Sequence, residues 1–328
     1  MNRRWIATWV AAPMNVWSAD AVLPGFFNQT VREVARISVG GSRVRIRLSN
    51  EFGDVPIAID AASIALAGEG GAIQPLTNLR LSFGGEPIAV VMPGSPLLSD
   101  PVDISLPALS SLAVSVYFRN FVPVTTHHYE AQQTTYISIP GNFADAECMP
   151  VEQTTTSRYF LSGVFVETSA DARAVVCLGD SLTDGYGCRV DGDGRWPDIL
   201  AQRLQARRGC ENIAVLNQGI GGNRILNNQR GAKILERLDR DVLSLPAVSH
   251  LIVLAGINDI GWPNTPLAGA DQAVSAEQII AGLIQIVERA HVAGIKVIVS
   301  TILPFEAQCL ERRCKPTIRR RRKRSASP

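Results

Sequence analysis

Residues 174–187, AVVCLGDSLTDGYG, restrict the fold of this chain more than any other stretch. Five apolar residues, Ala174 to Leu178, run without alternation into a polar turn that begins Gly179-Asp180-Ser181. Such a run suits a strand buried on both faces, as in parallel sheets flanked by helices. The serine then stands just outside the carboxyl end of its strand, where open α/β sheets gather their reacting groups. Alone, Gly-Asp-Ser reads as an ordinary strand and turn. Two further loops change that reading.

After Asp171 the pattern alternates between strand and helix. Apolar strands are expected at 174–178, 213–216, 250–255 and 295–302, and helices near 196–207, 232–242 and 276–293, with Pro197 in the first turn of its helix, where a missing N–H does no harm. This order predicts a doubly wound parallel sheet covered on both faces. Three of its strands end in glycine-bearing loops: Gly179-Asp180-Ser181-Leu182, then 217–224 reading NQGIGGNR, then Gly256-Ile257-Asn258-Asp259. In a parallel sheet these loops emerge at one edge. A serine hydroxyl, a bare glycine amide and an asparagine carboxamide can therefore converge there. Those are the parts that ester hydrolysis needs besides a base: a hydroxyl to attack the acyl carbon and N–H donors for the oxyanion.

The Gly-Asp-Ser-Leu block, the Asn-x-Gly-x-Gly-Gly-Asn block and the Gly-x-Asn-Asp block, in this order after successive strands, resemble the SGNH (GDSL) hydrolases, which are esterases and lipases of flavodoxin-like fold. The resemblance covers about residues 174–305. It implies that Ser181 is the nucleophile and also lends its amide to the oxyanion hole, with Gly222 and Asn258 as the other two donors. The first half is similar to the β-sandwich that precedes the hydrolase domain in bacterial two-domain members, through Trp5-Ile6-Ala7-Thr8-Trp9 and Asn28-Gln29-Thr30. The Gly-x-Ser-x-Gly elbow of the α/β-hydrolases is absent around Ser181.

The family draws its base from a C-terminal Asp-x-x-His block, and no such block occurs here. After Glu306 the text becomes AQCLERRCKPTIRRRRKRSASP, with an unbroken basic run from Arg319 to Arg324. Residues 307–328 are expected to be a disordered basic tail. The abrupt change favours a shifted reading frame or truncated gene over a tail with its own role, so the α/β domain is expected to be incomplete at its C-terminus. His250 opens its strand and His291 ends a helix that leads to the far edge of the sheet, so neither is expected to reach Ser181. His127 and His128 are expected to be structural or peripheral, since adjacent residues on a strand face opposite ways, and either approaches Ser181 only if the β-domain overhangs the site.

Residues 31–168 show a period of two. Val44, Ile46 and Leu48 alternate with Arg43, Arg45 and Arg47, which predicts a half-buried strand whose guanidiniums lie in water. Ile37 and Val39 before Gly40-Gly41 suggest a hairpin. Further strands are expected at 57–66, 79–83, 88–92, 112–118, 134–139 and 158–166. Short strands without a convincing helix indicate a sandwich or jelly roll.

The domains expected are therefore 1–168 (all-β), 172–306 (α/β) and 307–328 (tail). The formal net charge of +2 hides nine Lys or Arg against one acidic residue in 311–328, so the rest of the chain is net acidic and no specific nucleic-acid face is expected. The six cysteines are scattered without a C-x-x-C pair, which argues against a zinc site or disulfide framework. No cofactor or metal is expected, and no apolar run is long enough to span a membrane. Arg3 and Arg4 before an apolar stretch imitate a signal peptide, but Thr8 and Pro13 interrupt it and a first strand is the favoured reading. Cytoplasmic location is expected, with secretion or a periplasmic location as the alternative. The function expected is a serine esterase cleaving a small acyl or acetyl group from a carbohydrate or lipid through an acyl-enzyme, impaired by the missing histidine. The alternative is a noncatalytic glycan-binding protein with a degenerate hydrolase domain. The partner is thus a small-molecule or carbohydrate ester, and oligomeric state is not read from the sequence.

Overall fold

The structure, a computed structural model, describes residues 3–18 and 23–302. The basic tail at 307–328, the 303–306 end of the expected α/β domain and Ala19 of the signal-like stretch lie outside the described residues. Two antiparallel sheets make up most of the first half. One runs in the order Arg3–Val10, Leu161–Ser169, Gly41–Ser49 and Pro96–Leu98, with Val102–Leu106 also paired to Gly41–Ser49. The other runs Val151–Thr155, Thr135–Ser138, Gln29–Arg36, Ser111–Phe118, Ala61–Leu66 and Leu79–Arg80. Val44, Ile46 and Leu48 of the first sheet and Val31, Ala35, Leu112 and Val114 of the second belong to one buried cluster. The period-two strands thus place their apolar residues in one shared core, as alternation requires. The expected strand at 57–66 is broken at Asp60, and that at 158–166 at Phe160, which takes a positive φ of 64°.

Two expectations in this half are corrected. Gln29–Arg36 and Gly41–Ser49 lie in different sheets, so residues 37–40 cross between layers and form no hairpin. Their polar groups bond elsewhere: Thr8 Oγ1 donates to Val39 O at 2.7 Å, and Ser38 N donates to Thr8 O at 3.0 Å. The arginine row is only partly in water. The Arg45 guanidinium lies 4.4 Å from the Trp5 ring centroid, Arg43 lies 6.0 Å from the same ring, and Arg47 lies 5.7 Å from that of Phe165. Trp5 and Phe165 belong to neighbouring strands, so the cations stack on aromatic faces while their tips stay partly wet.

The second half holds a parallel sheet of β1 (Arg173–Gly179), β2 (Ile213–Gly219), β3 (Val248–Leu254) and β4 (Lys296–Val299) in the order β2-β1-β3-β4. This is a flavodoxin-like arrangement, with β1 central and the topological switch beside it. The helical elements are α1 (Ser181–Asp184), α2 (Trp196–Gln205), α3 (Ile234–Leu238), α4 (Ile257–Gly261) and α5 (Ala276–Val292). α5 opens on a capping box between Ser275 and Gln278 and buries Ile279, Gly282, Ile286 and Ala290, the stripe expected of an amphipathic helix. The strand expected over 295–302 is shorter. β4 pairs only with β3 among the described residues, and Ile298 and Val299 stay 55% and 42% exposed.

The two halves are joined by specific contacts as well as by the apolar cluster that runs through both. Val215 N of β2 donates to Ser38 Oγ at 3.0 Å, and Arg240 Nη2 donates to Pro13 O at 3.1 Å. Arg36 and Asp193 form an ion pair at 3.4 Å.

Candidate active site

β1 ends at Gly179, which pairs in register with Gly219 on one side and Leu254 on the other. The three glycine-bearing segments therefore leave the sheet at one edge. Asp180 caps the helical turn that follows: its Oδ1 accepts from Leu182 N at 3.0 Å, and Ser181 becomes the first residue of α1. The polar loop expected here is thus a capped helical turn, because an aspartate at N-cap satisfies one of the free amides. Ser181 is half-buried, and neither its hydroxyl nor its amide finds a partner among the described residues.

Asn217 begins the second block by locking α1. Its Nδ2 donates to Thr183 O and its Oδ1 accepts from Gly219 N, both at 2.9 Å. At Gly219 a Cβ would fall 2.2 Å from Asp184 N, so only glycine lets α1 pack this close to the end of β2. Gly221 N donates to Asp184 Oδ2 at 2.9 Å. Gly222 follows in the left-handed region at φ 77°, and its amide has no acceptor among the described residues. Asn223 Nδ2 then donates to Arg230 O and Ala232 O, both at 2.9 Å. Asn258 lies in α4, another helical turn where a loop was expected, and one of its two Nδ2 hydrogens goes to Asn223 O at 3.0 Å. The other has no acceptor among the described residues. Ser181, Gly222 and Asn258 are thereby linked through Asp184, Gly221 and Asn223, with unused N–H donors at each of the three.

Charged residues that the sequence reading missed hold this edge together. Arg237 is fully buried and donates to Asn223 Oδ1 at 3.0 Å, Gln218 O at 2.9 Å, Gly179 O at 3.1 Å and Asp241 Oδ2 at 2.8 Å. It thus ties the ends of β1 and β2 to the Gly222 loop. Asp241, also bonded by Arg240, is held below the usual carboxylate range despite burial. Asp259 accepts from Ile225 N and Leu226 N at 2.8 and 3.1 Å, and burial raises its pKa. Burial pushes the Asp180 carboxyl up to about 6, against the N–H of Leu182. The sequence signal for this set was the run Glu236-Arg237-Leu238-Asp239-Arg240-Asp241, whose mixed charges at helical spacing suit a buried i,i+4 pair as well as a solvated face.

Of the two expectations for His127 and His128, structural or peripheral, the structural one holds. His127 and His128 face opposite ways, as adjacent strand residues do, but neither is peripheral: both are buried where the halves meet. His128 Nδ1 lies 2.9 Å from Ala12 O and Nε2 lies 3.0 Å from Asp184 Oδ1, three residues beyond Ser181. Its ring therefore bridges the β-rich half and α1. His127 stacks on Trp17 with ring centroids 5.5 Å apart, and burial, with His128 alongside, pushes its imidazole down to about 4. No histidine among the described residues hydrogen-bonds Ser181. His250 pairs in register with Val175, four residues before Gly179, so the sheet separates it from the site as expected.

Ser181 thus follows the first of these strand ends, Gly222 the second and Asn258 the third. Residues 177–326 match the family model for GDSL-like lipases and acylhydrolases. Among solved structures, the SGNH-hydrolase family esterase AlinE4 is 23% identical, over 40% of this chain and 60% of that one, with a TM-score of 0.31. A variant of Axe2, an acetyl xylan esterase from Geobacillus stearothermophilus, is 24% identical over 39% and 58%, with a TM-score of 0.31. The psychrotrophic esterase EstA from Pseudoalteromonas sp. is 20% identical over 39% and 58%, with a TM-score of 0.30. The match to this chain spans about 60% of the length of these proteins. No curated protein matches the chain. The GDSL match includes Ser181, Gly222 and Asn258 and leaves the β-rich half outside it.

Proposed function

We propose that this chain is a carboxylic ester hydrolase that uses Ser181 as its nucleophile and acts on a small acyl or acetyl ester of a carbohydrate or lipid. The observation that carries this reading is the set of N–H donors without partners among the described residues at Ser181, Gly222 and Asn258, brought to one sheet edge beside the half-buried serine. Ser181 Oγ forms a bond to the acyl carbon as the carbonyl electron pair moves onto oxygen, and the three donors stabilise that oxyanion. Collapse breaks the bond to the alcohol oxygen, which takes up the proton that Oγ released. Water then adds to the acyl-serine, releases the carboxylic acid and restores Ser181. With no imidazole bonded to Ser181 among the described residues, water carries the proton, and the rate is that of positioning and oxyanion stabilisation alone.

The test is hydrolysis of p-nitrophenyl acetate by the purified full chain and by Ser181→Ala. A higher rate for the unaltered chain, with acetylation of Ser181 detected by mass spectrometry, is the expected result. Equal rates would remove serine-dependent catalysis and leave a noncatalytic glycan-binding protein as the reading.

A further inference from the structure

A cation that the proposed reaction does not use stands against the Gly222 loop. Where a Cβ on Gly222 would stand, Arg230 Cδ lies 2.8 Å away and Trp262 Cη2 lies 2.5 Å away, so these two side chains flank that donor directly. The Arg230 guanidinium lies 5.5 Å from the Trp17 ring centroid and 5.9 Å from that of Tyr129, two rings that meet edge to face at 4.8 Å. Trp17 is itself stacked on buried His127, and Tyr129 follows His128, whose ring meets Asp184 in α1. The backbone is pinned too, because Asn223 Nδ2 donates to Arg230 O at 2.9 Å. Residues of both halves therefore hold one guanidinium beside Gly222.

Arg230 is half-buried, and among the described residues its side chain makes no ion pair and donates no hydrogen bond. The carboxylates of this edge are engaged elsewhere. Asp184 takes His128 Nε2 and Gly221 N, and Asp259 takes Ile225 N and Leu226 N. Glu130 acts on the Tyr129 hydroxyl. A second guanidinium, that of Arg224, lies 5.5 Å from the Trp262 ring centroid and adds to the positive charge around the loop. Aromatic faces hold a guanidinium in place and leave its N–H edge open, and that edge is a fork matched to the paired oxygens of an anion. We infer that Arg230 is a specificity residue, selecting esters that carry an anionic group near the scissile bond.

This deepens the proposed function and rests on the Ser181 reading, since Gly222 marks where the ester carbonyl is held. A merely structural arginine, fixing the loop against Trp17 and Tyr129, lowers the rate on neutral and anionic esters alike. A specificity residue changes their ratio. The anionic group can belong to the acyl part or to the alcohol part, and one pair of substrates tests each. Mono(4-nitrophenyl) adipate against 4-nitrophenyl hexanoate places the carboxylate on the acyl side. The second pair, 4-acetoxybenzoate against its methyl ester, places it on the alcohol side.

For each pair, the ratio of kcat/KM on the anionic ester to that on its neutral partner is measured in the full-length chain, in Arg230→Gln and in Arg230→Lys. The expected result is that at least one ratio falls by about tenfold in Arg230→Gln, the loss of one hydrogen bond to a charged group, and recovers partly in Arg230→Lys. In the unaltered chain the same ratio should fall as salt is raised, because a half-buried charge is partly screened. Thermal unfolding checks that each variant is folded. Calorimetric titration of Ser181→Ala with the two anionic esters reads binding without turnover, and adding Arg230→Gln to that background should weaken it by a similar factor. Ratios and binding that are the same with and without the Arg230 guanidinium, or equal losses on neutral and anionic esters, would overturn the inference. Hydrolysis indifferent to Ser181→Ala, with anion binding that still depends on Arg230, would instead overturn the ester-hydrolase reading alone.

Discussion

At the scale of single residues, Glu33 carries the clearest prediction. It is buried in the strand Gln29–Arg36, accepts from Tyr159 N at 2.5 Å, and is pushed up to about 8 by burial, with Arg158 and the Tyr159 amide pulling the other way. A carboxyl whose folded-state pKa is raised contributes stability that is full below its ordinary value and is lost as pH rises through about 8. His127, held down to about 4, acts in the opposite sense: its contribution is present above the ordinary histidine value and is lost as pH falls. Between pH 6.5 and 8 the Glu33 effect stands apart from that of His127. Denaturant unfolding should show stability falling over this interval by up to about 1.4 kcal/mol per pH unit, and Glu33→Gln should flatten it. An unchanged slope in the variant would show that Glu33 titrates in its ordinary range. Nothing in the alternation of its strand announced this residue, because burial on both faces of the sandwich is a property of the layers around it.

At the scale of elements, the segments between strand and helix decide the site. Gly222 requires both a left-handed backbone and empty space, since a Cβ there would lie 2.5 Å from the Trp262 ring. Gly222→Ala should lower the Ser181-dependent rate by about tenfold or more, because the loop must shift to admit the Cβ and carries the amide donor with it, and should lower Tm as well. A rate equal to that of the unaltered chain would remove Gly222 from the reaction. Arg237→Met tests the buried clamp between β1, β2 and the Gly222 loop. It takes a donor from Gln218 O and Asn223 Oδ1 and one of two from Gly179 O, which keeps Ile220 N at 3.2 Å, and a loss of stability on the order of 3 kcal/mol is expected from chemical denaturation. The three motif blocks were legible as text because their spacing repeats the strand-loop pattern. That α1 and α4 are helical turns was not, since a four- or five-residue helix carries no periodicity and forms only when a cap such as Asp180 and a packed neighbour hold it.

At the scale of the whole molecule, the β-rich half reaches α1 through His128 and Asp184, which are side-chain neighbours despite belonging to different halves. Replacing them singly and together, as His128→Phe, Asp184→Asn and the double variant, should give a coupling free energy of about 1 kcal/mol or more. Additive losses would mean that the contact does not join the halves energetically. The same pair lowers the Ser181-dependent rate if the halves cooperate in setting α1, because Asp184 also holds Gly221 beside the Gly222 donor.

By itself the sequence determined the alternation of strand and helix in the second half, the parallel sheet and the delivery of Ser181, Gly222 and Asn258 to one edge. Each follows from local periodicity and from the geometric fact that parallel strands end together. Only the tertiary structure decided that residues 37–40 cross between sheets, that Arg43, Arg45 and Arg47 stack on aromatic rings, that His128 touches Asp184 and that Arg237 lies beneath the site. These are contacts between residues distant in the chain, and a polar side chain looks the same in the text whether water or a buried partner satisfies it. The partner is supplied by the packing of layers, and that packing is set by the whole chain at once.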